Sequence, residues 1–214
     1  MKDAFKFMKI DFSMSKSQNK VFLFLVAVAI LFTVMNQNPL FVALYLAFGS
    51  VILSNSPFTL ENYYNMAFVN LLPATTRSRV SGRYLFSLGY VVTGFIFSEL
   101  TILFAVNVAP DEKKMLLLFS VFMGGMAMVF ITIQYVLLYA LGIGKNQQYI
   151  RLISMVPGFI MFGLGSGLTV EIEKMVITES LVIKAVAIVF VLGIVIMLAG
   201  KELSIFLVKR RDSI

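Results

Sequence analysis

The sequence predicts an all-α polytopic membrane protein, with six transmembrane helices, an N-terminal interfacial helix and a further cytoplasmic helix between spans 2 and 3. Three observations lead to this fold class. The 214 residues fall largely into long apolar runs, the mean hydropathy is +0.92, and only 14% of residues are charged, against about 25% in typical soluble domains. About 20 apolar residues at a rise of about 1.5 Å each cross a hydrocarbon core roughly 30 Å thick. The runs are continuous rather than alternating, which favours helices over the strands of a membrane barrel.

The apolar runs place six spans in one membrane domain that covers residues 20–200. The predicted spans are 20–36, 38–54, 84–107, 115–141, 150–168 and 181–200. An even number of spans puts both termini on the same side, and basic residues near span ends stay in the cytoplasm. Most of the 18 Lys and Arg residues fall in the segments that share a side with the N-terminus. We therefore expect a multi-pass cell-membrane protein whose two termini are both cytoplasmic, with a basic cytoplasmic tail at 201–214.

Residues 1–19 have the pattern of an amphipathic helix that lies in the inner membrane interface. Lysines gather close to one face of such a helix, and apolar residues, including Phe5, Phe7 and Phe12, cover most of the rest, with Asp3 and Asp11 as interruptions. Ammonium groups near anionic headgroups and aromatic rings below them suit this location, so membrane lipid is a predicted partner. The alternative is a frayed basic leader that only sets topology.

The longest break between apolar runs is the cytoplasmic loop 55–83. Ser56 and Pro57 are typical of a helix start. A single helical stripe follows at Leu60, Tyr64, Ala67, Phe68 and Leu71. Pro73 cannot continue this helix and also restricts the residue before it. Thr75 or Thr76 can then cap a new helix that carries Arg77, Arg79 and Arg83 into the third span. An alternative for this loop is an interfacial helix that rests on lipid.

Composition excludes several classes of function. There is no Cys and no His, so disulfides, thiol chemistry and zinc sites built on these residues are excluded. No Ser lies in a nucleophile-elbow pattern, and Gly142–Lys145 lacks the other residues of a phosphate-binding loop. We therefore expect no catalytic site, no metal and no cofactor on this chain. The net charge of +7 follows from the cytoplasmic basic residues and does not indicate nucleic-acid binding.

Two ionisable residues lie well inside predicted spans, Glu99 in the third and Lys184 in the sixth. Buried charge costs about 3 kcal/mol on insertion scales, so such groups usually face a cavity or a partner. Glu99 and Lys184 are therefore candidates for an ion pair or for a substrate path. The alternative is that Lys184 reaches the outer surface, while Glu99 is protonated or bonded to a neighbouring hydroxyl group.

The fifth predicted span is unusual in its content of proline and glycine. Pro157 and Gly158 lie early in it, and Gly163, Gly165 and Gly167 crowd its outer half. Glycine at this density permits close helix contact or a break in the helix. We expect a short or broken fifth span that packs tightly.

The stretch from Asn70 to Leu85, NLLPATTRSRVSGRYL, resembles a pattern in small permease subunits of type-2 ABC exporters. In those proteins Leu-Pro is followed by a Ser/Thr-Arg pair and then by a basic-Tyr-Leu start of the third span. The likeness extends to the interfacial helix, the six spans, the long inner loop and the inner termini. A second Thr before Arg77 shifts the Ser/Thr-Arg spacing by one. The chain is most similar to permeases that export phenol-soluble modulins or other antimicrobial peptides.

This resemblance implies the permease subunit of an ATP-driven exporter that moves amphipathic or antimicrobial peptides out of the cell. ATP and Mg²⁺ would then be bound by a separate cytosolic ABC ATPase subunit, on which the inner loop docks as a coupling helix. Six spans are half of the usual twelve, which implies a second permease subunit in a homo- or heterodimer. The implied ATPase-coupling residues are Tyr64, Phe68, Leu71, Pro73, Arg77, Arg79 and Arg83, with Lys145 and Arg151 in a second, smaller contact.

Two other classes of function fit the same spans. One is a membrane immunity or regulatory protein that binds a partner within the bilayer and transports nothing. The other is a small secondary transporter, although the sequence has no clear internal repeat of the kind common in that class. ATPase binding distinguishes the permease from the first, and a response to an ion gradient identifies the second.

Overall fold

The computed structural model describes residues 2–35, 40–63, 75–105, 108–141, 152, 155, 156, 159, 160, 163 and 179–212. Every regular secondary-structure element in these described residues is an α-helix. In chain order the helices are α1 (Lys2–Met14), α2 (Lys16–Val34), α3 (Leu40–Leu53), α4 (Ser56–Tyr63), α5 (Thr76–Phe104), α6 (Pro110–Leu141) and α7 (Glu179–Asp212).

Four of the described helical stretches are long and apolar enough to cross a membrane. They are Phe41–Glu61, which joins α3 and α4, then Thr76–Phe104, Glu112–Leu141 and Ser180–Arg211. A fifth candidate is the pair formed by α1 and α2, which is bent by 75° at Ser15. The helical membrane class is thus confirmed. The count of six stays a prediction, because the predicted fifth span lies largely outside the described residues.

The helix that contains the predicted third span starts earlier than the apolar run. α5 begins at Thr76, inside the loop predicted at 55–83, and the side chain of Thr75 accepts a hydrogen bond from the backbone N–H of Ser78 at 3.2 Å. This N-cap satisfies one of the free donors of the first turn, and it confirms the cap expected from sequence. α4 likewise begins at Ser56, as predicted.

The last helix continues well past its apolar run. Residues 201–212 extend α7 instead of forming a separate tail, and Ser204, Ile205 and Val208 are buried there. A helix satisfies its backbone hydrogen bonds internally and can continue out of the hydrocarbon region, whereas hydropathy reports only its apolar part. Lys209, Arg210 and Arg211 lie in its last turn, where positive charge complements the helix dipole.

The backbones of α6 and α7 approach closely at two glycines. A Cβ atom placed on Gly193 would lie only 2.7 Å from the carbonyl oxygen of Gly125, and one on Gly125 would lie 3.0 Å from the Cα atom of Phe190. The two backbones therefore touch, as small residues allow in membrane helix pairs. α5 and α6 are joined to α3 on another side, where the Ser50 hydroxyl donates to the carbonyl of Tyr90 at 3.1 Å.

Candidate functional site

Arg83, near the start of α5, is a buried charged residue around which the candidate site is built. Its guanidinium forms an ion pair with Glu61 of α4, and the two side chains are only 4% and 11% exposed. The guanidinium also lies over the ring of Phe58, 4.5 Å from the centroid. Because a buried charge is costly unless it is paired and hydrogen-bonded, this contact holds α4 and α5 together.

Asp11 brings a second carboxyl group to Arg83 from the N-terminal helix. The residue is 5% exposed, and its Oδ2 atom is buried without a hydrogen-bond partner. α1 is bent by 75° from α2, which fits the interfacial helix outside the spans that the sequence predicts. Burial raises the pKa of Asp11 to about 6; Arg83 acts in the opposite direction, and Glu61 adds to the rise. Asp11, Glu61 and Arg83 are called the Arg83 cluster below.

Aromatic rings close the Arg83 cluster on the side of α6. The ring of Phe58 packs edge-on against Tyr135 and Tyr139, with centroids 4.9 and 5.2 Å away. The hydroxyl of Tyr135 donates to the carbonyl of Ser54 at 2.6 Å, while the hydroxyl of Tyr139 is buried without a partner. These rings exclude water from the cluster, which strengthens the electrostatic interactions within it.

α1 is held against the bundle by close packing as well as by charge. A Cβ atom on Gly82 of α5 would lie 2.5 Å from the Cβ of Phe7 and 2.8 Å from the carbonyl oxygen of Ala4. At the bend after α1, the hydroxyl of Ser56 donates to that of Ser15 at 2.9 Å. The start of α4, the bend before α2 and the start of α5 therefore meet at one place.

The arginines predicted to couple to an ATPase have different surroundings. Arg77 is exposed and forms an ion pair of 3.2 Å with Glu202 of α7, Arg79 is half-buried, and Arg83 is buried in the cluster described above. Of the three, Arg77 has the side chain best placed to reach a separate subunit. The other predicted coupling residues lie outside the described residues: Tyr64, Phe68, Leu71, Pro73, Lys145 and Arg151.

The two substrate-path candidates are not paired in the described part of the chain. Glu99 lies beside the hydroxyl of Ser120 on α6, and its Oε1 atom is buried without a hydrogen-bond partner. Ser120 in turn donates to the hydroxyl of Ser98 at 3.1 Å. Lys184 is exposed on α7, and no ion pair joins it to Glu99.

A small cavity lies next to these hydroxyl groups, between α3, α5 and α6. Its volume is about 10 Å³, which is room for about one water molecule. Its lining consists of Ala43, Ala47, Ser50, Val91, Gly94, Phe95, Ser98, Ser120, Gly124 and Ala127. A peptide does not fit in this cavity.

Two members of the Arg83 cluster were not among the sequence candidates. In the sequence, Asp11 is only an interruption of the apolar surface of α1, and no sequence pattern marks Glu61 as a functional residue. A carboxylate placed within an otherwise apolar helix face, as at Asp11, is the feature that could have indicated a buried partner. No group of three or more His, Cys, Asp or Glu residues in the described ranges is placed to hold a metal.

The comparison with protein families covers nearly the whole chain. Residues 7–209 match the family described as ABC-2 family transporter protein. Searches of curated proteins and of solved structures found no match. Family members are membrane components of ABC transporters and work with an ABC ATPase subunit. The matched range contains the Arg83 cluster, most of α1 and nearly all of the described spans, and the chain belongs to the ABC-2 transporter family as a transmembrane permease component of an ABC transporter.

Proposed function

We propose that this permease is one half of an ATP-driven exporter of amphipathic peptides, with its coupling element at residues 57–83. Both termini lie in the cytoplasm, and α1 lies in the inner interface against anionic lipid. A second permease subunit completes the usual twelve spans. ATP and Mg²⁺ are bound by the partner ATPase and not by this chain.

The observation that carries this proposal is the buried ion pair between Glu61 and Arg83. Glu61 lies near the end of α4 and Arg83 near the start of α5, so the pair joins the two helices that lead into and out of residues 64–74. A loop whose two ends are clamped together can pass a push from a docked subunit to both helices. A coupling element requires this mechanical property, whereas a loop that rests on lipid does not require it.

The choice of peptide as substrate rests on the resemblance of residues 70–85 to peptide-exporter permeases. The cavity between α3, α5 and α6 holds about one water molecule and is too small for such a ligand. A path between two permease subunits, or one opened by ATP-driven movement, fits both facts. Glu99 and Lys184 remain candidates for residues that face this path.

Co-purification tests the ATPase partnership. The tagged protein is isolated in mild detergent from its native membrane, beside the Phe68→Asp and Arg77→Glu variants. We expect a cytosolic ABC ATPase with the wild type and its loss from both variants, because one change puts charge on the apolar stripe and the other reverses an exposed basic group. Lys113→Glu, at the start of α6, is the matched control and should retain the ATPase.

Transport in proteoliposomes tests the substrate class and separates the alternatives. Permease and ATPase are reconstituted together, and uptake of a fluorescent amphipathic peptide into inside-out vesicles is followed with and without ATP. Uptake that requires ATP supports the exporter. Uptake driven by an ion gradient without ATP would identify a secondary transporter. An intact protein with neither activity nor an ATPase partner would indicate a binding or immunity protein.

A further inference from the structure

We propose that Arg83 is a positioning residue that couples three elements, joining the coupling segment to α5 through Glu61 and to the interfacial helix α1 through Asp11. This inference rests on the proposed function and assigns to it a specific mechanical connection. Arg83 is not expected to touch the ATPase or the substrate.

The charge balance of the cluster makes Arg83 its central residue. Two carboxyl groups interact with one guanidinium, Glu61 by direct contact and Asp11 through its charge, in a site where Arg83 is 3% and Asp11 5% exposed. Glu61 takes the direct ion pair, and Asp11 interacts with both groups electrostatically while its Oδ2 atom has no hydrogen-bond partner. Loss of Arg83 would leave two buried acidic groups without a cation, which is more costly than loss of either acid.

Among the described residues, Arg83 is the cation that acts on Asp11. Tyr139 and Tyr135 are the phenols of α6 that interact with it electrostatically. Arg79 acts on Tyr139 but is not among the charges that act on Asp11. Arg83 is therefore the cation on which the position of all three elements depends.

The position of the cluster along the chain favours a mechanical role. Residues 62–82 separate Glu61 from Arg83 along the chain, yet the two side chains are in contact. Asp11 comes from a helix whose backbone is pressed against α5 at Gly82. A displacement of residues 64–74 therefore cannot move α4 away from α5 without breaking a buried ion pair, and it moves α1 with them.

A purely structural ion pair would behave differently from a mechanical connection. Such a pair would affect stability alone, so the transport obtained per ATP hydrolysed would stay constant in any variant that folds. A mechanical connection predicts variants that fold, bind the ATPase and hydrolyse ATP but transport less peptide for each ATP hydrolysed. The ratio of transport to hydrolysis separates the two roles.

The decisive variant is the double change Glu61→Gln and Arg83→Gln in the reconstituted complex of permease and ATPase. It removes the direct ion pair as a whole, so that neither Glu61 nor Arg83 is left as a buried charge facing its missing partner, while Asp11 is unchanged. We expect the ATPase to remain bound and to hydrolyse ATP, while peptide transported per ATP falls about tenfold or more, the usual range of coupling between sites. Arg83→Lys should retain part of the ratio, because it keeps the charge but loses the planar guanidinium that contacts Glu61 and lies over the Phe58 ring.

Two matched controls use exposed carboxylates. Asp3→Asn makes on α1 the same chemical change as Asp11→Asn, but Asp3 is exposed in a pair with Lys6. Glu112→Gln repeats the change of Glu61 at an exposed position on α6. Both controls should leave the ratio of transport to hydrolysis unchanged, whereas Asp11→Asn should lower it.

The outcomes are distinguishable from failure of the proposed function. If the wild type shows neither ATPase binding nor ATP-driven transport, the exporter assignment fails. If the wild type transports and the folded Gln–Gln variant keeps its ratio within the range of the controls, Arg83 has no positioning role and the inference is overturned.

Discussion

The hydroxyl groups of Tyr84 and Ser204 share a hydrogen bond of 3.0 Å that ties the start of α5 to the part of α7 beyond the predicted sixth span. Ser204 is fully buried and Tyr84 is 4% exposed. The contact lies one residue along α5 from Arg83, and Arg77 reaches α7 from the same helix through its ion pair with Glu202. The first turns of α5 are thus attached to α1, α4 and α7.

Removing one partner of this hydrogen bond should destabilise the protein. Tyr84→Phe leaves the buried Ser204 hydroxyl unsatisfied and should lower the free energy of unfolding by about 1–3 kcal/mol. The measurement is thermal unfolding in detergent. The double variant Tyr84→Phe with Ser204→Ala should cost less than the sum of the two single changes. Additive losses would show that the two hydroxyl groups do not interact.

A side chain at the crossing of α6 and α7 should disrupt their packing. Gly193→Ala places a methyl group 2.7 Å from a backbone oxygen of Gly125, and we expect a loss of about 1–3 kcal/mol from forced separation of the helices. Gly124→Ala is the matched control, because its nearest neighbour would be an atom of Phe95 at 3.8 Å. That control should be neutral or slightly stabilising, since Ala is the better helix former. Equal effects of the two changes would contradict a backbone contact at Gly125.

Asp11 should make stability fall as pH rises through a defined window. Burial raises the pKa of this carboxyl from 3.8 to about 6, so the folded protein binds the proton more tightly than the unfolded chain. The stabilising effect is therefore complete below about pH 4 and is lost as pH rises to about 6, by on the order of 3 kcal/mol.

The test of this pH dependence is a series of unfolding measurements between pH 4 and pH 7.5. Asp11→Asn should flatten the profile in that window and be more stable than the wild type above pH 6, because an amide has no charge to bury. Asp3→Asn, an exposed change on the same helix, should keep the wild-type profile. The expected direction would be contradicted if the wild type gained stability from pH 4 to pH 6 and Asp11→Asn removed that gain.

A methyl group on Gly82 should lift α1 from α5. Gly82→Ala sets a Cβ atom 2.5 Å from that of Phe7, and backbone atoms of α1 leave little room for adjustment. The absence of native Cys allows Phe7→Cys to serve as a clean reporter, since Phe7 is 7% exposed. Maleimide labelling at this position should become faster in the Gly82→Ala background. Gly89→Ala, which meets only the tip of the Phe12 ring at 3.0 Å, should leave labelling nearly unchanged.

The two charges inside the spans should behave independently. Lys184 is exposed and is not paired with Glu99 among the described residues, so the charge exchange Glu99→Lys with Lys184→Glu should not rescue either single variant. Lys184→Gln alone should leave stability within about 0.5 kcal/mol of the wild type. Rescue by the exchange, measured as transport in the same vesicles, would show that the pair forms in another state of the transporter.

Local features of the fold are predictable from the sequence, and long-range contacts are not. The cap at Thr75 and the helix start at Ser56 depend on residues within one turn, so their pattern is visible in the chain itself. The ion pair of Glu61 with Arg83 joins two helices across residues 62–82, and hydropathy carries no information on such pairs. The resemblance implied that Arg83 couples to an ATPase, but a carboxylate on α4 holds its side chain inside the protein.

The apolar runs of the sequence also do not predict where the helices begin and end. The start of α5 at Thr76 and the end of α7 at Asp212 lie beyond the apolar runs that predicted the spans. Apolar content marks where a helix meets lipid, and it does not mark where the helix stops. Tertiary contacts such as Tyr84 with Ser204 keep these outer turns folded.

The contact between Gly125 and Gly193 also determines how α7 can move. α7 has 34 residues, so at about 1.5 Å per residue it is roughly 50 Å long and exceeds the hydrocarbon core by about 20 Å. Gly193 lies near its middle, where the backbones of α6 and α7 touch. Gly200, two turns further along α7, packs against Thr132 of α6 as well. The two helices are therefore fastened along part of their length, so α6 would have to follow any displacement of the end of α7 that carries Glu202 and Ser204.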